Sequence, residues 1–280
     1  MLMKKNFLNW NNPGKAFITG ASSGIGLSFA KQLAQYGFDL VLLARRKDRL
    51  KVIAGELESQ NPIRCEIIQA DLAEISDIIK TADYISQIDD LDILVNNAGS
   101  ATLGYFADVP VEKSIHMLNV HVTATIQFTH AVIKGMLRRK RGAIINVSSM
   151  GAFLLSPGNV VYDSTKSFLN TFSENLKFEM QDMDIKIQAL CPGLTRTEFH
   201  EVGDFKNYDR SAIPDFLWMS PDKVVSLSLN ALRKNKKIIF IPSWKKRLSK
   251  WIITHSSLVR KVLIDKANRN INKENLRQNI

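Results

Sequence analysis

Short β-branched runs alternate with longer amphipathic stretches from residue 15 onward. The run Lys15–Thr19 precedes an amphipathic stretch over Ile25–Tyr36, and Phe38–Ala44 precedes a second stretch over Arg46–Ser59. Nearly all-apolar runs such as Leu40–Leu43 are typical of parallel strands that helices cover on both faces. Further strands are predicted at Cys65–Gln69, Leu91–Val95, Ala143–Ser148, Ile185–Leu190 and Lys237–Ile241. The pattern predicts a doubly wound α/β fold in a single domain, with a parallel sheet of seven strands.

The alternating pattern and the distribution of charge together divide the chain into three parts. Residues 1–13 form an N-terminal extension, residues 14–242 contain the alternating pattern, and residues 243–280 follow the last predicted strand. The chain has 280 residues, is 45% hydrophobic and carries a formal net charge of +11. Positions 233–280 hold 14 Lys and Arg against only Asp265 and Glu274, so nearly all of the net charge lies there. A near-neutral body with a basic end predicts a globular domain with an extension, and no nucleic-acid binding.

Several function classes are excluded by the sequence. No apolar run approaches the roughly 18–20 residues of a membrane-spanning helix, and Asn9, Asn11 and Asn12 interrupt the first run before a signal-peptide core can form. Cys65 and Cys191 have neither a disulfide framework nor a metal-ligand spacing. We expect all five histidines to lie on helix or loop surfaces without catalytic roles: His116, His121, His130, His200 and His255. These features predict a cytoplasmic protein without a metal.

A glycine-rich turn follows the first predicted strand directly. Residues Thr19–Gly26 read TGASSGIG and lead into the first amphipathic stretch. In this context Gly20 permits a tight turn, Gly24 lets backbone N–H groups approach a pyrophosphate, and Gly26 lets the helix lie close to the sheet. The turn predicts a dinucleotide site; the alternative is a glycine-rich turn without a ligand.

The end of the second strand indicates which dinucleotide binds. An NAD site usually places a carboxylate there to bind the ribose hydroxyls, but this chain reads Leu42–Lys47 as LLARRK. Arg45 and Arg46 offer guanidinium groups suited to a 2′-phosphate, which favours NADP(H). A solvated basic helix start is the alternative, and it competes more strongly for Arg46 and Lys47 than for Arg45.

Tyr162 and Lys166 stand four residues apart in a helical pattern and therefore share one helix face. A phenol titrates near pKa 10, and a neighbouring ammonium is expected to lower that pKa and suit the phenol to proton transfer. The strand before this helix ends in hydroxyls at Ser148 and Ser149, where Ser149 can hold a carbonyl oxygen. The alternative is an ordinary helix pair and a strand-end hydroxyl.

With these motifs, TGxxxGxG and YxxxK, the chain resembles the short-chain dehydrogenase/reductase family over roughly residues 14–241. The resemblance implies a Rossmann-like fold and a catalytic tetrad of Asn119, Ser149, Tyr162 and Lys166. Tyr162 would transfer the proton, Ser149 would orient the carbonyl, Lys166 would hold the nicotinamide ribose, and Asn119 would carry a water that links Lys166 to solvent.

The resemblance also implies the cofactor contacts. Asp71 would contact the adenine, Asn96–Gly99 would lie against the adenosine ribose, and Pro192–Thr197 would fix the carboxamide. Thr195 departs from the family pattern, because family members commonly carry a branched apolar residue at this position. The cofactor residues implied in full are Gly20, Ser22, Ser23, Gly24, Ile25, Gly26, Arg45, Arg46, Asp71, Leu72, Asn96, Ala98, Gly99, Tyr162, Lys166, Pro192, Gly193, Thr195 and Thr197.

The implied function is an NADP(H)-dependent oxidoreductase that transfers a hydride between nicotinamide and a ketone or secondary alcohol, with reduction favoured. Residues 198–220 would form a substrate lid whose aromatic content indicates a lipophilic substrate; the alternative is that these rings pack the lid onto the body. A homodimer or homotetramer is expected from the family. A second hypothesis is an NADP(H)-binding sensor or interaction protein with little turnover.

The basic end has a helical pattern of its own. Beyond Ser243, apolar positions recur at alternating steps of four and three, from Trp244 through Trp251 to Val262, with basic residues around them. This basic amphipathic helix can lie on an anionic membrane, which would place the protein at the inner face of a membrane. The alternatives are packing on its own domain, a subunit interface and a solvated tail.

Overall fold

The computed structural model describes residues 12–154, 156–200, 213–235 and 237–243, and the single positions 261 and 265. It confirms the predicted single-domain α/β fold with a seven-stranded parallel sheet. The last strand covers only two of the five residues predicted for it. The strands are β1 (Lys15–Thr19), β2 (Asp39–Ala44), β3 (Cys65–Gln69), β4 (Leu91–Asn96), β5 (Gly142–Val147), β6 (Ile185–Leu190) and β7 (Ile239–Phe240).

The strand order in the sheet is β3-β2-β1-β4-β5-β6-β7. Successive strands are added toward one edge from β1 to β3 and toward the other edge from β4 to β7, so the order switches between β1 and β4. These two strands pair in parallel, with Ile18 beside Val95, while the other edge of β1 pairs with β2 through Thr19 and Leu43. The loops that leave β1 and β4 therefore diverge at their carboxyl ends. In open α/β sheets, such a divergence makes the crevice in which ligands bind.

Helices cover both faces of the sheet and bury two apolar layers. The helices are α1 (Gly24–Gln35), α2 (Lys47–Gln60), α3 (Ile75–Ser86), α4 (Val111–Leu118), α5 (Ala124–Arg139), α6 (Val160–Glu179) and α7 (Pro221–Lys234). Phe29 and Leu229 belong to the layer beneath α1, α2 and α7, and Phe128 belongs to the layer beneath α3 and α5. The Phe128 ring also meets the Phe17 ring edge to face at 5.4 Å.

A π-helical segment, Asn119–Thr123, joins α4 to α5 without a break. A π-helix adds one residue to a helical turn and thereby shifts the side chains that face inward. Here His121 is turned inward and is only 1% exposed. The apolar pattern of the sequence did not predict this segment, which packs against α6.

Several sequence predictions fall on residues outside the described part. These are most of the N-terminal extension, residues 201–212 of the lid, and the proposed amphipathic helix beyond Ser243. Their roles and the domain boundaries remain predictions. Within the described part of the chain, helices long and apolar enough to cross a membrane are absent.

Candidate functional site

The glycine-rich turn lies at the carboxyl end of β1, where the sequence places it. Gly24 has a φ of +55°, a conformation that side-chain-bearing residues rarely adopt. A Cβ atom on Gly26 would lie 2.3 Å from the Gly20 carbonyl oxygen, so only glycine fits there. Ser23 precedes α1, and the first turn of α1 contains no acidic residue. The positive end of the helix dipole therefore faces the crevice, which suits a pyrophosphate.

The turn is tied to the loop after β4 by a compact hydrogen-bond network. The backbone N–H groups of Asn97 and Ala98 each donate to Thr19 Oγ1 at 2.9 Å. Asn97 Nδ2 donates to the Thr19 carbonyl oxygen, also at 2.9 Å. Thr19 and Asn97 therefore hold the two walls of the crevice together. Asn97 belongs to the segment Asn96–Gly99 that the family resemblance implies, although it is absent from the individual cofactor residues.

The Asn96 side chain, at the end of β4, faces the core. Its side chain is buried, and its Nδ2 donates to Asn146 Oδ1 at 2.9 Å. Asn146 in turn donates to Ser173 Oγ at 2.9 Å. The Asn96 side chain therefore links β4 through β5 to α6, and the cofactor contact implied for Asn96 stays a prediction.

The two arginines after β2 differ in their surroundings. Arg45 is 76% exposed, and its guanidinium lies 3.8 Å from the Asp71 carboxylate. Arg46 reaches back to the glycine turn and donates to Ser22 Oγ at 3.0 Å and Ser23 Oγ at 3.2 Å. The structure therefore brings Arg46, rather than Arg45, to the turn, the reverse of the ranking drawn from the sequence.

The residues after β3 form the floor of the crevice. Leu72 is buried, and Asp71 Oδ1 accepts a hydrogen bond from the Ala73 N–H at 3.0 Å. Asn119 Nδ2 donates to the Ala73 carbonyl oxygen at 2.8 Å. Asn119 thus fastens the π-helix to the loop after β3. This contact was not anticipated from the sequence.

The remaining three members of the tetrad lie together at the carboxyl end of β5. Ser149 ends the segment after β5, and its Oγ accepts from the Gly151 N–H at 3.0 Å. Tyr162 lies in the first turn of α6, and its interaction with the Ser149 hydroxyl acts to lower the phenol pKa. Lys166 Nζ lies 5.6 Å from the centre of the Tyr162 ring and donates to the Val147 carbonyl oxygen at 3.0 Å. The predicted pairing of Tyr162 and Lys166 on one helix face is therefore present.

Burial controls the protonation of this cluster. It raises the pKa of Tyr162 to about 12, although the Ser149 hydrogen bond acts in the opposite direction. It lowers the pKa of Lys166 to about 7 and raises that of the neighbouring Asp163 to about 7. The expectation that Lys166 lowers the phenol pKa is therefore not met here, because desolvation disfavours both charged forms. A protonated Tyr162 is suited to donating a proton.

His121 corrects the expectation that every histidine lies on the surface. His116 and His130 are exposed as expected, but the His121 ring lies edge to face against Tyr162, with centroids 5.9 Å apart. His121 Nε2 accepts from the Ser100 N–H at 3.1 Å, so the proton resides on Nδ1, 2.8 Å from Thr165 Oγ1. The available sequence signal was a single polar residue between Val120 and Val122.

The segment after β6 lies against both the turn and the tetrad. The Pro192 carbonyl oxygen accepts from the Met150 N–H at 2.9 Å, and Thr195 Oγ1 donates to the Gly193 carbonyl oxygen at 2.9 Å. The Thr197 methyl would lie 2.9 Å from a Cβ atom on Gly24. The Phe199 and Tyr162 ring centres are 6.2 Å apart. The implied cofactor segment therefore faces the crevice through Thr197, whereas the Thr195 side chain is buried.

The structure thus brings together a glycine turn, a nearby arginine, and Ser149, Tyr162 and Lys166 in one crevice at the switch point of the sheet. Within the described residues, groups of three or more His, Cys, Asp and Glu that could hold a metal are absent. The cradle fits a dinucleotide, because a Cβ atom at Gly20 or Gly26 would collide with the turn or with the loop after β4, which form its walls, and Arg46 supplies a cation beside it.

Comparisons with known proteins agree with this geometry. The sequence profile of the short chain dehydrogenase family matches residues 15–204. A very-long-chain 3-oxoacyl-CoA reductase from Anas platyrhynchos is 33% identical over 191 residues, which cover 67% of this chain and 61% of that protein. The inactive hydroxysteroid dehydrogenase-like protein 1 of Homo sapiens is 30% identical over 192 residues, 68% of this chain and 58% of that protein. The chain thus spans about three fifths of the length of these relatives.

A solved structure extends the likeness over most of the chain. The short-chain dehydrogenase from Sphingobium yanoikuyae in complex with NADPH is 30% identical and matches with a TM-score of 0.76, covering 93% of this chain and 95% of that one. The family profile covers more than half of the sequence and includes the glycine turn, Ser149, Tyr162 and Lys166. The chain therefore belongs to the short-chain dehydrogenase family.

Proposed function

We propose that this protein is an NADP(H)-dependent oxidoreductase that interconverts a lipophilic ketone and its secondary alcohol. The observation that carries the proposal is the assembly of Tyr162, Ser149 and Lys166 in one partly buried cluster beside the glycine turn. Each of these residues is common by itself. A phenol, a hydroxyl and an amine together at the mouth of a dinucleotide crevice are suited to moving a proton to or from a carbonyl oxygen.

The cofactor preference rests on the charge at the end of β2. Arg46 lies within hydrogen-bond distance of Ser22 and Ser23, and Arg49 stands one helical turn away on α2. Guanidinium groups bind phosphate in a bidentate manner, whereas a site selective for NAD would carry a carboxylate here. The Sphingobium yanoikuyae relative was solved with NADPH, which supports the same preference.

The protein's own groups divide the work of the reaction. A bound nicotinamide supplies the two-electron redox chemistry. In the reductive direction, the neutral Tyr162 hydroxyl donates its proton to the carbonyl oxygen, and Ser149 orients that oxygen by a hydrogen bond. Lys166 is anchored to Val147 with its amine beside the phenol, so that the protonated form of Lys166 can stabilise the phenolate left after proton donation.

The substrate class is supported by the apolar surface beside the tetrad. Phe199 lies against Tyr162 and offers an apolar wall where a substrate carbonyl would approach. Among the lid residues described, Phe216 is 75% exposed, whereas Trp218 is buried and packs the lid onto the body. The Anas platyrhynchos relative is named for very-long-chain 3-oxoacyl-CoA, a substrate with a long apolar chain. A long-chain acyl ketone is therefore the first substrate class to test.

A second candidate is an NADP(H)-binding sensor that turns over little substrate. The human relative named as inactive favours this candidate. The intact cluster of Tyr162, Ser149 and Lys166 weighs against it, because a protein that only senses the nucleotide does not require a positioned proton donor.

Calorimetric titration of the full-length protein with NADPH and NADH tests the proposal. It is followed by absorbance at the nicotinamide band while medium- and long-chain ketones and 3-oxoacyl thioesters are added. We expect tighter binding of NADPH and substrate-dependent oxidation of NADPH. Tight NADPH binding without turnover on any carbonyl would favour the sensor, and a folded protein that binds neither nucleotide would refute both candidates.

We also expect the protein to assemble as a homodimer or homotetramer through its α5 and α6 helices. Exposed apolar side chains on these helices include Ile126 and Phe178, and the rings of Phe168 and Phe172 stack at 5.6 Å on α6. Light scattering coupled to size exclusion measures the assembly mass, and a monomer at all concentrations would contradict this expectation.

A further inference from the structure

A single carboxylate bridges two arginines at the edge of the crevice. Glu198 Oε2 lies 3.0 Å from Arg46 Nη1, and Glu198 Oε1 lies 2.5 Å from Arg49 Nη2. Burial alone would raise the pKa of Glu198, but the hydrogen bonds from Arg49 and Arg46 outweigh it and lower that pKa. Glu198 is therefore charged at neutral pH, and two cations share its single negative charge.

These are the cations that the proposed function assigns to the nucleotide 2′-phosphate. Arg46 uses its other terminal nitrogen to hold Ser22 and Ser23 in the glycine turn. The carboxylate of Glu198 thus lies where an anion is held between the end of β2 and the first turn of α2. A phosphate and a carboxylate seek the same guanidinium donors in the same bidentate manner.

The neighbours of Glu198 extend the contact along the crevice. Thr197 packs over Gly24 of the turn, and Phe199 packs on the Tyr162 ring. Three consecutive residues thus touch the pyrophosphate turn, the arginine pair and the tetrad. A displacement of Glu198 is therefore expected to move Phe199, the next residue along the backbone, whose ring lies against Tyr162.

We propose that Glu198 is a specificity-determining residue that competes with the 2′-phosphate of NADP(H) for Arg46 and Arg49, so that binding of this phosphate releases the segment Thr197–Phe199 from the arginine pair. The inference rests on the proposed function, because it assumes that the crevice takes NADP(H). NADH has no 2′-phosphate to offer the arginines, so it leaves the Glu198 bridge intact.

The strength of the bridge sets the size of the effect. The side chains of Arg46, Arg49 and Glu198 are 48%, 41% and 32% exposed, so water and salt screen the ion pairs. Removing the carboxylate charge is expected to tighten binding of a 2′-phosphate about three- to tenfold. The affinity for ligands without that phosphate is expected to stay the same, because these ligands do not compete with Glu198.

The test is a set of calorimetric titrations on the full-length chain, its Glu198→Gln variant and a Glu56→Gln control. Glu56 is exposed on α2, so its replacement removes the same charge from the helix that carries Arg49. Each protein is titrated with NADPH, NADH, adenosine 2′,5′-bisphosphate and AMP. Glu198→Gln is expected to tighten only the two ligands that carry a 2′-phosphate, about three- to tenfold, with Glu56→Gln within twofold of the wild type.

Three results would overturn the proposal. NADPH affinity that is unchanged or weakened in Glu198→Gln would show that the carboxylate does not compete. Equal tightening of NADH and AMP would show an effect unrelated to the 2′-phosphate. A wild-type protein that is folded but binds no nucleotide would refute the proposed function, and this inference with it.

Discussion

His121 allows a sharp test of how the fold supports the tetrad. Its ring joins the Ser100 N–H on one side to Thr165 Oγ1 on the other, and Thr165 donates to the Tyr162 carbonyl oxygen at 2.8 Å. His121→Leu places an apolar side chain there and removes the two ring nitrogens that contact the Ser100 N–H and Thr165 Oγ1. Each lost buried hydrogen bond costs about 1–2 kcal/mol, so the free energy of unfolding is expected to fall by about 2–4 kcal/mol. For a chain of this size the melting temperature is expected to fall by about 4–16 °C.

His121 also makes a pH-dependent contribution to the free energy of unfolding. Burial, and then the charge of Lys166, hold the pKa of His121 well below the ordinary value of 6.5. Below pH 6.5 the unfolded chain therefore binds a proton that the folded protein does not bind. Stability is lost as the pH falls from 6.5 toward the folded pKa, by up to about 1.4 kcal/mol per pH unit. His121→Gln retains an acceptor for Ser100 and does not titrate, so it is expected to lose this part of the pH dependence.

The assay is urea unfolding, followed by circular dichroism, between pH 7.5 and pH 5. The wild type, His121→Gln and the exposed-histidine control His130→Gln are compared. From pH 6.5 to pH 5, the wild type and the control are expected to lose about 1–2 kcal/mol more than His121→Gln. Parallel pH profiles for all three proteins, or a melting temperature for His121→Leu within 1 °C of the wild type, would refute the reasoning.

Two further pairs of variants test the crevice. Gly26→Ala places a Cβ atom 2.3 Å from the Gly20 carbonyl oxygen and is expected to cost about 1–3 kcal/mol of stability and to weaken NADPH binding. Gly55→Ala on α2 is the control, because its added Cβ meets no described atom within 4 Å, and it is expected to gain about 0.5–1 kcal/mol of stability. Similar melting temperatures for the two variants would contradict the close approach of Gly26 to Gly20. Arg46→Ala is expected to weaken NADPH binding about ten- to hundredfold, and NADH binding much less, because NADH depends on Arg46 only through the glycine turn. Arg45→Ala is expected to have a smaller effect on NADPH, and a larger effect by calorimetry would restore the ranking drawn from the sequence.

The sheet and the reacting groups could be predicted from the sequence because both depend on local order. The apolar run before Gly20 and the helical pattern after it locate β1 and α1 within one or two residues. The i and i+4 spacing of Tyr162 and Lys166 places them on one helix face whatever the tertiary packing. Regular periodicity therefore predicted the fold and the placement of Tyr162 and Lys166 on one helix face.

The remaining features depend on contacts between distant segments. The burial of His121 follows from a π-helical segment, which the apolar pattern does not reveal. The position of Glu198 between Arg46 and Arg49 joins residues about 150 positions apart. The protonation of Tyr162 also depends on packing, because the desolvation that raises its pKa comes from the assembled crevice.

The central claim is that Tyr162 is the proton donor of an NADPH-dependent carbonyl reduction. The most direct measurement compares the wild type with Tyr162→Phe in two readouts, the calorimetric affinity for NADPH and the loss of absorbance at the nicotinamide band with a long-chain ketone. The account predicts NADPH affinity within about twofold of the wild type, because the lost hydroxyl does not contact the phosphates, and loss of at least about 100-fold in turnover. Retained turnover in Tyr162→Phe would contradict it.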